Sequence, residues 1–90
     1  MALTKEQIKE FEETEEVAKG LHDFRSVADD IADAGDKKWA KKVYMKAEDK
    51  PGNCRDMKNL GDSIHENLGD KEWAKKVYKK AEDKAETAQN

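Results

Sequence analysis

Four aspartates, Asp29, Asp30, Asp33 and Asp36, fall within eight residues, and carboxylates that dense could hold a cation. A Ca²⁺ loop alternates its ligands, carries Gly in the middle and ends on Glu. This run does none of these, so it reads as a solvated helix face that finishes in a helix cap. The other candidates for metal or nucleophilic chemistry are His22, His65 and Cys54. None has a partner at ligand spacing, and a structural zinc site draws on several Cys and His. Cys54 falls at the start of a helix, where the dipole can lower a thiol pKa, but no local motif supplies a histidine. There is no Gly-rich phosphate loop and no nucleophile elbow. The chain is expected not to be an enzyme, and to need no metal and no cofactor.

Two further sets could make a binding surface. Trp39, Trp73, Tyr44 and Tyr78 could stack bases, yet they lie on an apolar stripe and read as core. Lysines crowd the same segments: Lys38, Lys42 and Lys46 step by four, as do Lys76, Lys80 and Lys84. Like charges at that spacing oppose a helix by a few tenths of a kcal/mol. They make an alternative basic face for an acidic partner or nucleic acid. Nucleic acid is the weaker choice, because the pI is near 5.4 and acids are scattered along the same helices.

The elements that would position these residues come from a duplication. Residues 35–50, GDKKWAKKVYMKAEDK, recur at 69–84 as GDKEWAKKVYKKAEDK. The offset is 34 residues, and a period in that range marks a repeat architecture. Trp39, Ala40, Val43, Tyr44 and Ala47 form one helical stripe, and Trp73, Ala74, Val77, Tyr78 and Ala81 copy it. Asp36 and Asp70 are expected N-caps. Gly35 and Gly69 suit the left-handed position that ends a preceding helix.

Those preceding helices show Phe24, Val27, Ala28 and Ile31 in one repeat and Met57, Leu60, Gly61 and Ile64 in the other. Here the offset is 33, and one extra residue near Asn67-Leu68 restores 34. Asp23 is the expected cap of the first, and Asn53 with Asp56 forms a capping box for the second. Pro51-Gly52 separates the repeats, since proline cannot continue the helix before it. An additional helix over about residues 4–19 opens on Thr4 and Gln7 as a capping box, carries a sparse stripe of Ile8, Phe11, Val17 and Ala18, and ends at Gly20.

The fold class expected is all-α: a short α-solenoid of two helical hairpins with an extra N-terminal helix, five helices in a single domain over residues 1–90. The N-terminal capping helix takes 4–20, the first repeat 21–53 and the second 54–90. Two repeats fall below the usual stable minimum of about three. Part of the Trp73/Val77/Tyr78 face is expected to be covered by the tail, by a homodimer partner or by a further repeat.

These residues resemble the tetratricopeptide repeat family. Its first-helix pattern is carried by Phe24, Val27-Ala28 and Ile31, and by Met57, Leu60-Gly61 and Ile64. The turn and second helix are carried by Gly35, Ala40, Tyr44 and Ala47, and by Gly69, Ala74, Tyr78 and Ala81, with Pro51 closing the first repeat. The likeness covers about residues 21–87. It departs from the family in the residue added between Ile64 and Gly69 and in placing tryptophan on the second helix. The resemblance implies a protein-interaction scaffold whose first helices line a concave groove for a peptide or helix. Its groove positions would be Arg25, Asp29, Asp33, Lys58, Asp62, His65 and Glu66. The set leans acidic and lacks the Lys/Asn clamp for a C-terminal carboxylate, so a partner segment bearing Lys or Arg is implied.

Charge and composition bound the setting. Residues 1–36 hold 11 acids and 4 bases, residues 37–90 hold 10 acids and 14 bases, and the net charge is −3. A single cysteine excludes an internal disulfide and points to a reducing, cytoplasmic location. The first residues show no signal-peptide pattern, and no run approaches the roughly 18 apolar residues of a membrane span.

Overall fold

The computed structural model describes residues 3–89, with side chains described through residue 85. Among these residues the chain is all-helical, with no strand: α1 Lys5–Val17, α2 Leu21–Asp33, α3 Lys37–Glu48, α4 Cys54–Ser63, a π-helical turn Ile64–Leu68, and α5 Lys71–Gln89. None of these helices is long and apolar enough to cross a membrane.

The caps explain where the helices begin. Thr4 and Gln7 close a reciprocal capping box on α1, and Asn53 and Asp56 do the same on α4. Asp36 and Asp70 each accept the backbone N–H of the tryptophan three residues on, at 3.0 and 3.1 Å. In each case a side-chain oxygen satisfies an N–H that the first turn leaves orphaned. Asp23 does not cap α2 as expected. The helix starts earlier, with Gly20 at its N-cap, and Asp23 instead accepts from the Lys19 backbone N–H. The reason lies in a long-range tie: Leu21 N–H donates to Pro51 O at 3.0 Å, which pins the chain into helix before Asp23 is reached. Gly20 therefore opens α2, and α1 ends two residues before it at Ala18.

The α2–α3 corner is a Schellman closure. Gly35 takes φ 107°, its N–H returns to Ala32 O, and Asp36 N–H returns to Ile31 O. The second corner has one more residue to place between two fixed points. Ile64, like Ile31, is fully buried, and Gly69, like Gly35, takes a positive φ, here 67°. The segment absorbs the surplus by widening to π geometry, the usual way a helix takes in one inserted residue. The added residue is thus not a local bulge at Asn67-Leu68 but a turn spread over all five positions.

α2 packs on α3, and α4 on α5, to make two hairpins; α4 then lies against both α2 and α3. The core runs through both hairpins: Leu21, Ile31, Val43 and Tyr44 in one, Leu60, Ile64 and Val77 in the other, each fully buried. Gly61 is required by this packing. A Cβ there would stand 2.7 Å from the Tyr78 ring, so only a bare backbone lets α5 come this close to α4. The molecule is an elongated slab, 47 × 27 × 13 Å.

Candidate functional site: an acidic groove between the first helices

Five of the seven groove residues converge. Arg25, Asp29 and Asp33 on α2 face Asp62 and Glu66, on α4 and the π turn, across a concavity of about 420 Å³. Asp30, Asn59, Ser63 and Asn67 complete its walls. Lys58 lies one turn before Asp62 on α4 and lines an adjoining cavity. His65 is exposed and lines neither.

The groove acids divide into two kinds. Asp29 is saturated. Its Oδ2 takes an ion pair from Arg25 Nη1 at 2.9 Å, and its Oδ1 accepts from Tyr44 Oη at 2.5 Å and from Asn67 Nδ2 at 3.1 Å. Asp62 repeats the tyrosine bond in the second hairpin, accepting from Tyr78 Oη at 2.5 Å. Both aspartates are anchors that hold their own hairpin together. Asp30, Asp33 and Glu66, by contrast, are exposed and make no hydrogen bond or ion pair among the described residues. They are the carboxylates free to meet an incoming cation. Arg25 is held in the groove wall by Asp29, by Ser63 Oγ at 3.5 Å and by His22 Nδ1, to which its Nη2 donates at 3.2 Å.

The tyrosines report this electrostatic setting. Burial, and then the bond to Asp29, push the Tyr44 phenol well above its ordinary value, against the opposing donation from Asn67. The bond to Asp62, and then burial, push Tyr78 up to about 12. A phenol that donates to a carboxylate resists ionisation because losing its proton would set two anions side by side.

Asn67 was not among the groove residues read from sequence. Its amide donates to Tyr44 Oη at 2.8 Å as well as to Asp29, so it joins the second hairpin to both helices of the first. It lies within the widened turn, and the broken 34-residue register pointed to that turn without revealing the contact.

The alternative basic face is partly consumed. Lys46 pairs with Glu15, and Lys80 pairs with Glu48 at 2.6 Å. The same two glutamates accept the indole N–H groups, Trp39 onto Glu15 at 3.4 Å and Trp73 onto Glu48 at 3.1 Å. Lys84 donates to Gly52 O at 3.2 Å. Lys38, Lys42 and Lys76 stay exposed and unpaired among the described residues. One lysine of each run thus has a structural partner, Lys46 on α1 and Lys80 on α3.

These pairs give α1 a place in the repeat. Glu15 does for Trp39 and Lys46 what Glu48 does for Trp73 and Lys80. Lys5, Lys9, Phe11 and Glu15 stand 33 residues before Lys38, Lys42, Tyr44 and Glu48. α1 therefore occupies the position of a second helix, and Phe11 meets the Trp39 ring edge-on at 5.9 Å. A search at the 33-residue offset would have found this relation. Among the described residues, no three His, Cys, Asp or Glu side chains are placed to hold a metal ion. Set against protein-family models, curated proteins and solved structures, the chain has no match in any of the three.

Proposed function

We propose that the chain is a tetratricopeptide-like interaction scaffold, a short α-solenoid that holds a basic peptide segment of a partner protein in the groove between α2 and α4. The observation that carries this reading is the asymmetry of the groove. Asp29 and Asp62 are already bound to tyrosines, while Asp30, Asp33 and Glu66 open onto the same concavity with nothing to neutralise them. Carboxylates gathered in a concave wall focus negative potential and favour Lys or Arg. The reading assigns no catalytic step and no cofactor, and with one thiol the chain fits a reducing, cytoplasmic location. The lysine-rich face is less suited to bind an acidic partner, since Lys46 and Lys80 already serve the packing between elements.

Testing this means sparing the anchors. Asp29→Asn or Asp62→Asn would disturb a buried tyrosine as well as the groove, whereas Asp33→Asn with Glu66→Gln leaves the packing alone. A fluorescently labelled Lys/Arg-rich decapeptide is expected to bind the native chain better than a Glu-rich one of equal length. The double variant is expected to lose about tenfold, with less loss at high salt. Equal binding of the two peptides, or an unaltered titration in the double variant, would remove the groove from consideration.

A further inference from the structure

A second concavity, of about 700 Å³, opens between α4 and α5, where Cys54, Lys58, Tyr78, Ala81, Glu82 and Ala85 line it. Its meaning comes from the first hairpin. Shifted by one repeat, Cys54, Tyr78 and Ala81 become Leu21, Tyr44 and Ala47, all fully buried in the angle between α2 and α3 against which α4 packs. This cavity is therefore the same helix-receiving slot, one repeat further along, with its tyrosine only half-covered. The chain's own interior shows what such a slot takes. It takes α4, whose buried apolar residues Met57, Leu60 and Ile64 stand at i, i+3 and i+7, and Asn67 brings an amide to the tyrosine hydroxyl.

Among the described residues, no helix packs into this slot as α4 packs into the first. After Glu48 the chain breaks at Pro51-Gly52 and turns into α4. At the equivalent place in α5 stand Ala85 and Glu86, which do not stop a helix, and α5 runs on to Gln89. α5 thus continues beyond the position at which α3 ends. The rim carries two exposed cations, Arg55 and Lys58 on the α4 side, and one exposed acid, Glu82 on α5.

We infer that this slot is the docking site for an amphipathic helix of a partner protein, one built like α4, with apolar residues at i, i+3 and i+7, a terminal amide donor for Tyr78 Oη, and acids facing Arg55 and Lys58. Helix-in-groove recognition of this kind reads the apolar anchors for affinity and the rim for orientation. The slot adjoins the acidic groove, sharing Asn59 with it, and the two are told apart by variants that touch one only: Ala85 in the slot, Asp33 and Glu66 in the groove.

The probe is a synthetic peptide of residues 53–68 carrying Cys54→Ser, labelled at its N-terminus and titrated with the full chain. Saturable anisotropy is expected. The single thiol of the chain, Cys54, sits in the slot wall and should react several-fold more slowly with a maleimide when the peptide is bound. Ala85→Arg, which keeps a good helix former on α5, should weaken binding at least tenfold. Tyr78→Phe should weaken it a few-fold, and Asp33→Asn with Glu66→Gln should leave it unchanged. Unprotected Cys54 at saturating peptide, or equal affinity in the Ala85→Arg chain, would overturn the assignment. So would a concentration-dependent dimer that Ala85→Arg dissolves, for then a second copy holds the slot.

Discussion

Tyr44 and Tyr78 stand at matching places in the two hairpins and each donates to an aspartate of its own first helix, but only Tyr44 receives the Asn67 amide and is fully buried. Their pH behaviour follows from this chemistry. In the unfolded chain both phenols ionise near 10; in the folded chain both are held above that value, Tyr78 at about 12 and Tyr44 beyond it. The folded state thus keeps protons that the unfolded state releases. Stability from these bonds is complete below pH 10 and is lost as the pH rises from 10 through 12. A titration followed at 295 nm is expected to show no tyrosinate near pH 10 in the native chain, then a steep rise coinciding with loss of the helical circular-dichroism signal. Two separate, non-cooperative ionisations near pH 10 would contradict the bonding described.

Among the elements, the π turn has the most to explain. It spans the interval between buried Ile64 and the left-handed Gly69, and the surplus residue brings Asn67 to Tyr44 and Asp29. Deleting Asn67 would let the turn close as ordinary α-helix with Leu68 in the place of Ala34. It would also leave a buried hydroxyl and a carboxylate without their shared donor. Losing such a bond in a partly buried network costs about 1–3 kcal/mol, or on the order of 10 °C in melting temperature for a domain of this size. The expected result of the deletion is a lower thermal midpoint with undiminished helical signal. A variant as stable as the parent would mean that the inserted residue is incidental.

At the scale of the molecule, three second-type helices, α1, α3 and α5, follow one another, and each junction is closed by one glutamate that holds an indole N–H and a lysine. The ion pairs themselves are half-exposed at the lysine and contribute little. The contribution of α1 as an end cover lies in Phe11 and Glu15 against Trp39. Replacing both by Ala in the full chain, with Trp73→Phe so that one indole reports, should shift the Trp39 emission to the red. It should also lower stability by about 2 kcal/mol in urea unfolding, from the lost aromatic contact and the orphaned indole donor. An unshifted emission would show that α1 does not cover this end. At the other end, the sequence predicts that part of the Trp73/Val77/Tyr78 face is covered by the tail, a homodimer partner or a further repeat. Val77 is fully buried, and Trp73 turns back to Glu48, so of the three only Tyr78 borders the unfilled slot.

Local periodicity and cap chemistry were sufficient to read the helices, both hairpin corners, the two capping boxes and the core positions of the duplicated segment. Such features depend on neighbours within about four residues, and Asp36, Gly35 and the Trp39–Ala47 stripe carry their meaning in that short range. The groove was legible as a set of positions on the first helices, but not the division of labour among its acids. Asp29 and Asp33 look alike in sequence; one is consumed by Arg25, Tyr44 and Asn67, and the other is left to solvent. The start of α2 at Leu21, the bridging amide of Asn67 and the use of Lys46 and Lys80 as ties all arise from contacts between residues 23 to 38 apart. No pattern along the chain encodes these contacts singly, because which side chains meet is settled only when the hairpins pack, and packing depends on how all the apolar faces are buried together.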